Sequence, residues 1–372
     1  MGECKKFDGI KLMILVVIIF LFGLLFLYSA SVFYNYRGSM DNYFTIMWST
    51  YAIKQFLFGI VGISLMILMY RIGVEPLYKY AYHLILAGLF LMILVFVPHV
   101  GFSAGGATRW IRLGPVSFQP SEFLKLALIT YLARSLSGKK KVIKDFWMGF
   151  FPYMVILGVV AVLLLLQEDI GDFVIISYLT FLLLLISGAE ILYIALMSLL
   201  GVSIVTTAIL FTHRIDRVKA WLNPWDYASN YGYQIIQSLV ALSNGGVTGR
   251  SPGAGLQQLS FLPEAHTDYI FAIIGEEGGF IVTTLFIVAF VYLLYLSFKI
   301  ALAQKNSFNM ILAIGIASLL GIEIIINLAV VTNIFPTKGL PLPFVSYGGS
   351  NLLVSFTMIG ILASLGRKCE EM

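Results

Sequence analysis

The chain has 372 residues, 59% of them hydrophobic and only 12% charged, with a formal net charge of +5 and a mean hydropathy of +0.93. Runs of about 20 apolar residues recur along its length, each long enough to cross a roughly 30 Å hydrocarbon core, which excludes a soluble globular protein. A transmembrane barrel is excluded as well: residues 12–27 are apolar on every face instead of alternating, so helices, which satisfy their backbone groups internally, must do the spanning.

About ten spans follow in chain order, at approximately 11–34, 52–70, 79–98, 119–136, 147–166, 170–187, 190–211, 269–298, 308–333 and 348–365. The expected fold is an all-α polytopic membrane protein, one integral membrane domain over residues 1–372. The first apolar run is too long for a secretory signal and lacks a small-residue cleavage site, so no cleavable signal is expected. An even number of spans puts both termini on one side. Lys5, Lys6, Lys11, Arg71, Lys79, Arg134, Lys139, Lys140, Lys141, Lys144, Lys299, Lys305, Arg367 and Lys368 fall on that side, and the positive-inside rule makes it cytoplasmic. Cys4 and Cys369 lie at the extreme ends, with neither the number nor the spacing of a metal site or a disulfide framework.

On the opposite face the segment from His99 to Ser121 is glycine-rich and carries Arg109, Trp110 and Arg112. Guanidinium groups at a membrane surface suit phosphate, which they bind bidentately. In the fourth span Glu122 and Lys125 are three apart and share a helix face. A charge at the centre of a span costs roughly 2.5 to 3.5 kcal/mol, so such groups face protein or water. The pair is either a salt bridge that fixes helix packing or part of a polar cavity. Between the fifth and sixth spans, Glu168, Asp169 and Asp172 lie within one turn. They form either a solvated turn or a set of hard oxygen ligands, Asp169 among them, for Mg2+ or Mn2+.

The longest loop, residues 212–267 and extracytoplasmic on this topology, lies between spans seven and eight and exceeds the usual connection several-fold. It carries Arg214, Arg217, Lys219 and Arg250, which are either a solvated face or a site for an anionic ligand. Within it, residues 249–253 fit G-x-S-x-G but cannot be a nucleophile elbow, because Pro252 follows the serine and has no N–H for an oxyanion hole. His266 and Asp268 then stand at the mouth of the eighth span, with Glu276 and Glu277 about two turns deeper. Thr267 or Asp268 can cap that helix; alternatively, Asp268 is a general base acting on a lipid-linked, phosphorylated substrate. No internal repeat supports an inverted-repeat transporter.

Taken in order, these segments resemble the SEDS family (shape, elongation, division, sporulation), closest to its FtsW branch. The resemblance spans nearly the whole chain: LYSAS at 27–31, RWIRLGPVSFQPSEFLK at 109–125, RVKAWLNP at 217–224, YQIIQSLVAL at 233–242, LPEAHTDYIFAIIGEE at 262–277 and PTKGLPLPFVSYGGS at 336–350. The Thr337-Lys338 pair favours the division-type branch. The turn at 167–172 departs from the family's usual Q/E-P-D-x-G-T, with Glu168 for the proline and Asp172 for the threonine.

The resemblance implies a peptidoglycan glycosyltransferase that polymerises lipid II at the outer face of the bacterial cytoplasmic membrane during cell division. It works with a class B penicillin-binding protein transpeptidase and other divisome proteins. Asp268 takes the place of the essential loop aspartate. Arg109, Glu122, Lys125, Asp169, Arg217, Lys219, His266 and Lys338 are the expected substrate-binding set, with Mg2+ or Mn2+ at Asp169. No organic cofactor and no nucleic-acid partner are expected. The competing readings are a lipid II flippase, for which Lys125, Glu276 and Glu323 would line a path, and a non-catalytic division scaffold.

Overall fold

The apolar runs fold as long helices, and the computed structural model describes them over residues 6–36, 51–104, 107–114, 116–139, 142–210, 215–257 and 262–367. In chain order these are α1 (Lys6–Tyr36), α2 (Tyr51–Ile72), α3 (Glu75–Leu94) and strands β1 (Gly101–Ala104), β2 (Ala107–Leu113) and β3 (Val116–Phe118). Then come α4 (Pro120–Gly138), a π-helical turn (Phe146–Phe150) leading into α5 (Phe151–Leu166), α6 (Ile170–Ile186) and α7 (Ile191–Leu210). The long loop contributes α8 (Ile215–Leu222) and α9 (Tyr231–Gly245), and the chain ends with α10 (Ile270–Leu302), α11 (Ser307–Val331) and α12 (Gly349–Arg367).

Each of the ten expected spans coincides with one of these helices. Among the described residues, eight helices are long and apolar enough to cross a membrane. The other two are α6, which is shorter, and α4, which is too polar. The polarity of α4 has a physical reason. Glu122, Lys125, Thr130 and Ser135 all point inward and are buried, because α3, α6, α11 and α12 pack around this helix and take it out of contact with lipid. The opposite extreme is α7, which buries no residue at all and lies at the edge against α6.

Two features depart from an all-α expectation. The segment before α4 is a three-stranded antiparallel sheet of order β1-β2-β3, with Gly101 paired to Ile111 and Ile111 to Phe118. The register shifts opposite Phe102 and Ser103, so Arg109 is the extra residue of a bulge in β2, between the buried Ala107 and Ile111. The second is a break in α10 at Gly279, where φ is 68°. A Cβ there would stand 2.2 Å from the Gly249 nitrogen, so only glycine admits the crossing chain. That chain satisfies the backbone the break exposes: Phe280 N donates to Gly246 O, Ile281 N to Val247 O, Arg250 N to Glu276 O and Ser251 N to Glu277 O. Irregular backbone at membrane depth is tolerated where protein re-satisfies it in this way.

The G-x-S-x-G stretch is therefore the connector that fills the break. Glu276 and Glu277, read as acid continuing past a cap, bind it. The Glu276 carboxylate accepts from Leu256 N and Gln257 N, both at 3.0 Å, and Glu277 Oε1 accepts from Gly253 N at 3.0 Å and from the Ser29 hydroxyl at 2.5 Å.

Candidate functional site

A pocket of about 880 Å³ opens at the end of the bundle that carries the sheet, the loop before α10 and the strap of residues 332–348. Its walls are Tyr51, Lys54 and Phe58 of α2, Arg109 and Trp110 of β2, Glu122 of α4, Asp169 and Asp172 at the head of α6, Glu264, His266 and Asp268 before α10, and Gly339 to Pro341 with Tyr347 on the strap. Segments far apart in sequence thus converge on one cavity, which is the form a small-molecule site takes.

Asp268 does not cap α10. The cap position is Tyr269, and no side chain closes it. The Asp268 carboxylate instead lies against Gly339 of the strap. Burial and the charge of Glu264 push its pKa up to about 7, with Lys338 and Arg109 pulling the other way. A carboxylate that titrates near neutrality is suited to accept a proton from a reacting hydroxyl. His266 stacks on Tyr51 with ring centroids 4.1 Å apart, and its carbonyl accepts from Tyr347 N at 2.9 Å. Burial lowers its pKa, against Glu264, so it stands in the pocket as a neutral aromatic surface near pH 7.

Arg109 grips the acidic turn, its Nη2 donating to the Glu168 carbonyl at 2.5 Å and its Nε standing 3.4 Å from Asp169 Oδ2. Lys338 reaches the same turn from the strap, 3.8 Å from Asp172. Burial lowers the Lys338 pKa, with Asp172 and Asp169 opposing. Burial and the neighbouring Asp172 raise that of Asp169, with Arg109 and Lys338 opposing.

A divalent cation does not fit this turn. The Asp169 carboxylate is engaged by Arg109 and by the Asp172 N–H at 3.2 Å. Among the described residues no three His, Cys, Asp or Glu side chains are arranged to hold a metal ion. Arg109 and Lys338 already supply positive charge where such an ion would bring it.

Lys125 is not a pocket residue. It is fully buried behind Glu122, with Nζ 2.9 Å from Glu122 Oε1 and 2.5 Å from Glu323 Oε1. Asn351 Nδ2 donates to the other Glu122 oxygen at 3.1 Å. Arg217 and Lys219 are not brought to the pocket either. They are exposed on α8, Arg217 over the Tyr231 ring and Lys219 at 3.7 Å from Asp216. Arg214 lies outside the described residues.

Sequence reasoning missed two positioning residues. Asn327 Nδ2 donates to the carbonyls of Asp268 and Leu340. Gln55 donates to Ser346 O at 2.7 Å and accepts from Gly348 N at 3.2 Å, gripping the strap from α2. Both are amides inside apolar spans, and that incongruity was the available signal.

Residues 10–371 match the family described as Cell cycle protein, FtsW/RodA/SpoVE. Among curated proteins, the chain is 39% identical over 369 residues to one named Probable peptidoglycan glycosyltransferase FtsW from Geobacter sulfurreducens, covering 99% of this chain and 97% of that one. It is 35% identical over 364 residues to Stage V sporulation protein E of Bacillus subtilis, covering 98% of each. Among solved structures, a chain of a peptidoglycan synthase complex that coordinates polymerization and crosslinking superposes with a TM-score of 0.75 at 26% identity, over 97% of this chain and 98% of that one. The rod shape determining protein RodA of Thermus thermophilus gives a TM-score of 0.69 at 25% identity, over 96% of each.

Proposed function

Because the chain belongs to the FtsW/RodA/SpoVE family of cell cycle proteins, we propose that its pocket joins the sugars of lipid II into glycan strands, with Asp268 as the general base. The protein is a multi-pass membrane enzyme, a peptidoglycan glycosyltransferase. The observation that carries the mechanism is the pairing, in one cavity, of a carboxylate whose pKa is pushed up to about 7 with the Arg109 guanidinium on the cavity wall, and with Lys338 near enough for its charge to bear on Asp268.

The donor is the growing strand, its anomeric carbon bonded to undecaprenyl pyrophosphate, and the acceptor is the N-acetylglucosamine 4-hydroxyl of a lipid II molecule. As the hydroxyl oxygen attacks the anomeric carbon, Asp268 takes its proton, a contribution of about 10²–10⁴ in rate. The bond to pyrophosphate breaks with its electron pair leaving on the phosphate oxygen. Arg109 and Lys338 stabilise that developing charge from fixed positions, at no cost of reorganisation. One base and no covalent intermediate accord with inversion from an α-linked donor to a β-linked product.

The pocket faces the outer side of the cytoplasmic membrane and both termini face the cytoplasm, a reading that the lysine and arginine clusters support. The partner is a class B penicillin-binding protein that crosslinks the strands, within a division complex. Incubating the purified protein and such a partner with lipid II in detergent, and resolving the products on a gel, tests the reading. Glycan ladders are expected. Lipid II recovered unchanged by a folded, partner-bound protein would reject it in favour of transport or scaffolding.

A further inference from the structure

The reaction draws on Asp268, Arg109 and Lys338 and leaves one wall of the cavity without a role. That wall is a face of the three-stranded sheet. Phe102 pairs with Trp110 across β1 and β2, and Arg112 with Ser117 across β2 and β3. Paired residues project to the same side, and Trp110 and Arg112 are two apart along β2, so all four share one face. Ile111, between them, points the other way and is buried. Phe102, Trp110 and Ser117 all line the cavity.

Neither aromatic residue belongs to the core. Phe102 is 40% exposed, Trp110 is half-buried, and the Arg112 guanidinium lies over the Phe102 ring, 5.1 Å from its centroid. Indoles gather at membrane surfaces as anchors, but a phenylalanine has no polar edge to serve at that level, and both residues border the cavity. An aromatic ring on the wall of a polar cavity suits the apolar C–H face of a sugar, whose hydroxyls stay solvated at the edge. The contact is non-directional. It therefore suits a strand that must slide forward after each addition, because no hydrogen-bond register has to be broken. Arg109, the residue before Trp110, serves the leaving pyrophosphate, and consecutive residues are about 4 Å apart. The sugars bonded to that pyrophosphate thus meet the two rings.

We propose that Phe102 and Trp110 form a stacking subsite for the growing glycan strand, holding it between additions and so setting the length to which it is polymerised. This rests on the polymerase reading and concerns the donor side of that reaction. The two residues bind the strand and take no part in making or breaking bonds.

The test compares the full chain, with its transpeptidase partner, against Trp110→Ala, Trp110→Phe and Phe102→Ala at saturating lipid II. Strand length is read on a gel at equal consumption of lipid II, so it does not depend on how much of a variant folds. Length is the ratio of addition to release, so Trp110→Ala should shorten the strands about tenfold. Phe102→Ala should shorten them several-fold, and Trp110→Phe, which keeps a ring, should stay within about twofold of the wild type. Alanine variants that make strands of wild-type length, however slowly, would reduce the rings to packing or a membrane anchor and overturn the proposal. Strands that are short only at low lipid II would place the rings on the acceptor and overturn it too. A second measurement needs no turnover. A lipid-free tetrasaccharide of the glycan repeat, followed by saturation-transfer NMR, should bind the wild type about tenfold more tightly than Trp110→Ala. Equal binding to the two, or none to the wild type, overturns the subsite. A wild type that binds the tetrasaccharide but makes no glycan from lipid II would overturn the polymerase reading alone.

Discussion

Asn327 holds Asp268 by the backbone, its Nδ2 donating to the Asp268 carbonyl at 3.0 Å. The same nitrogen donates to Leu340 O at 2.7 Å, so one buried amide in α11 fixes both the base loop and the strap that faces it. Asn327→Ala would orphan two carbonyls, a loss of about 1–3 kcal/mol in stability. The effect on turnover should be larger, because misplacing a reacting group by about 1 Å can cost on the order of 10²-fold. Asn327→Asp, which replaces the donor with an acceptor, should be no better. Measured kcat falling only in step with the folded fraction would show that Asn327 merely packs the helix.

Asp268→Asn should lose about 10²–10⁴ in kcat while the protein still accumulates in the membrane. Asn caps a helix about as well as Asp, and Asp268 is not the cap, so folding is not at stake. Stability should in fact rise. The folded pKa of about 7 lies above the ordinary 3.8, so between those values the native state binds more protons than the unfolded chain and stability falls as pH rises. Removing the charge abolishes that penalty above pH 7. The thermal midpoint at pH 8 should increase, by roughly 2–4 °C for each kcal/mol recovered, and a lower midpoint would count against the buried carboxylate.

The rate should follow the same titration with the opposite sense. Only ionised Asp268 can accept a proton, so kcat/KM should rise with pH and level off above about 7. Lys338 and Arg109 hold that pKa down while Glu264 raises it. Lys338→Gln should therefore shift the acid limb to higher pH, and Glu264→Gln should shift it lower. A limb that stays in place in both variants would assign the titration to another group.

The sequence carried the ten spans because each is a long apolar run, and it carried Asp268, Arg109, Asp169 and His266 as polar residues at span ends, where the structure sets them around one cavity, with Lys338 beside Asp172. It could not carry the strands. Their pairing depends on the burial of Ala107 and Ile111, and a seven-residue strand is short beside the helices. Lys125 was misplaced because i,i+3 spacing sees Glu122 but not Glu323, which is 198 residues away and nearer. Arg217 and Lys219 look like an anion site by composition. Their separation from the cavity is a matter of how α8 lies, which local sequence does not encode. Glu276 and Glu277 could be counted from the sequence, but among their partners are backbone N–H groups of the crossing chain, and those carry no residue signature.

Lys125, Glu122 and Glu323 give the last and sharpest contrast. One ammonium is shared by two carboxylates from α4 and α11, and Asn351 of α12 donates to the first of these. Lys125→Met would leave two buried acids without a counter-ion, and breaking such a group costs about 3–5 kcal/mol, so the protein should fail to accumulate. Exchanging the pair as Glu122→Lys with Lys125→Glu should fail as well, because the new carboxylate would stand against Glu323. Adding Glu323→Gln to the exchange removes that clash and should restore folding, measured as monodisperse protein in detergent. It should not restore polymerisation, because Glu122 is the member of the group that lines the pocket, and the exchange puts a cation there. Full glycan synthesis by the folded triple variant would reduce the whole network to helix packing and remove Glu122 from the site.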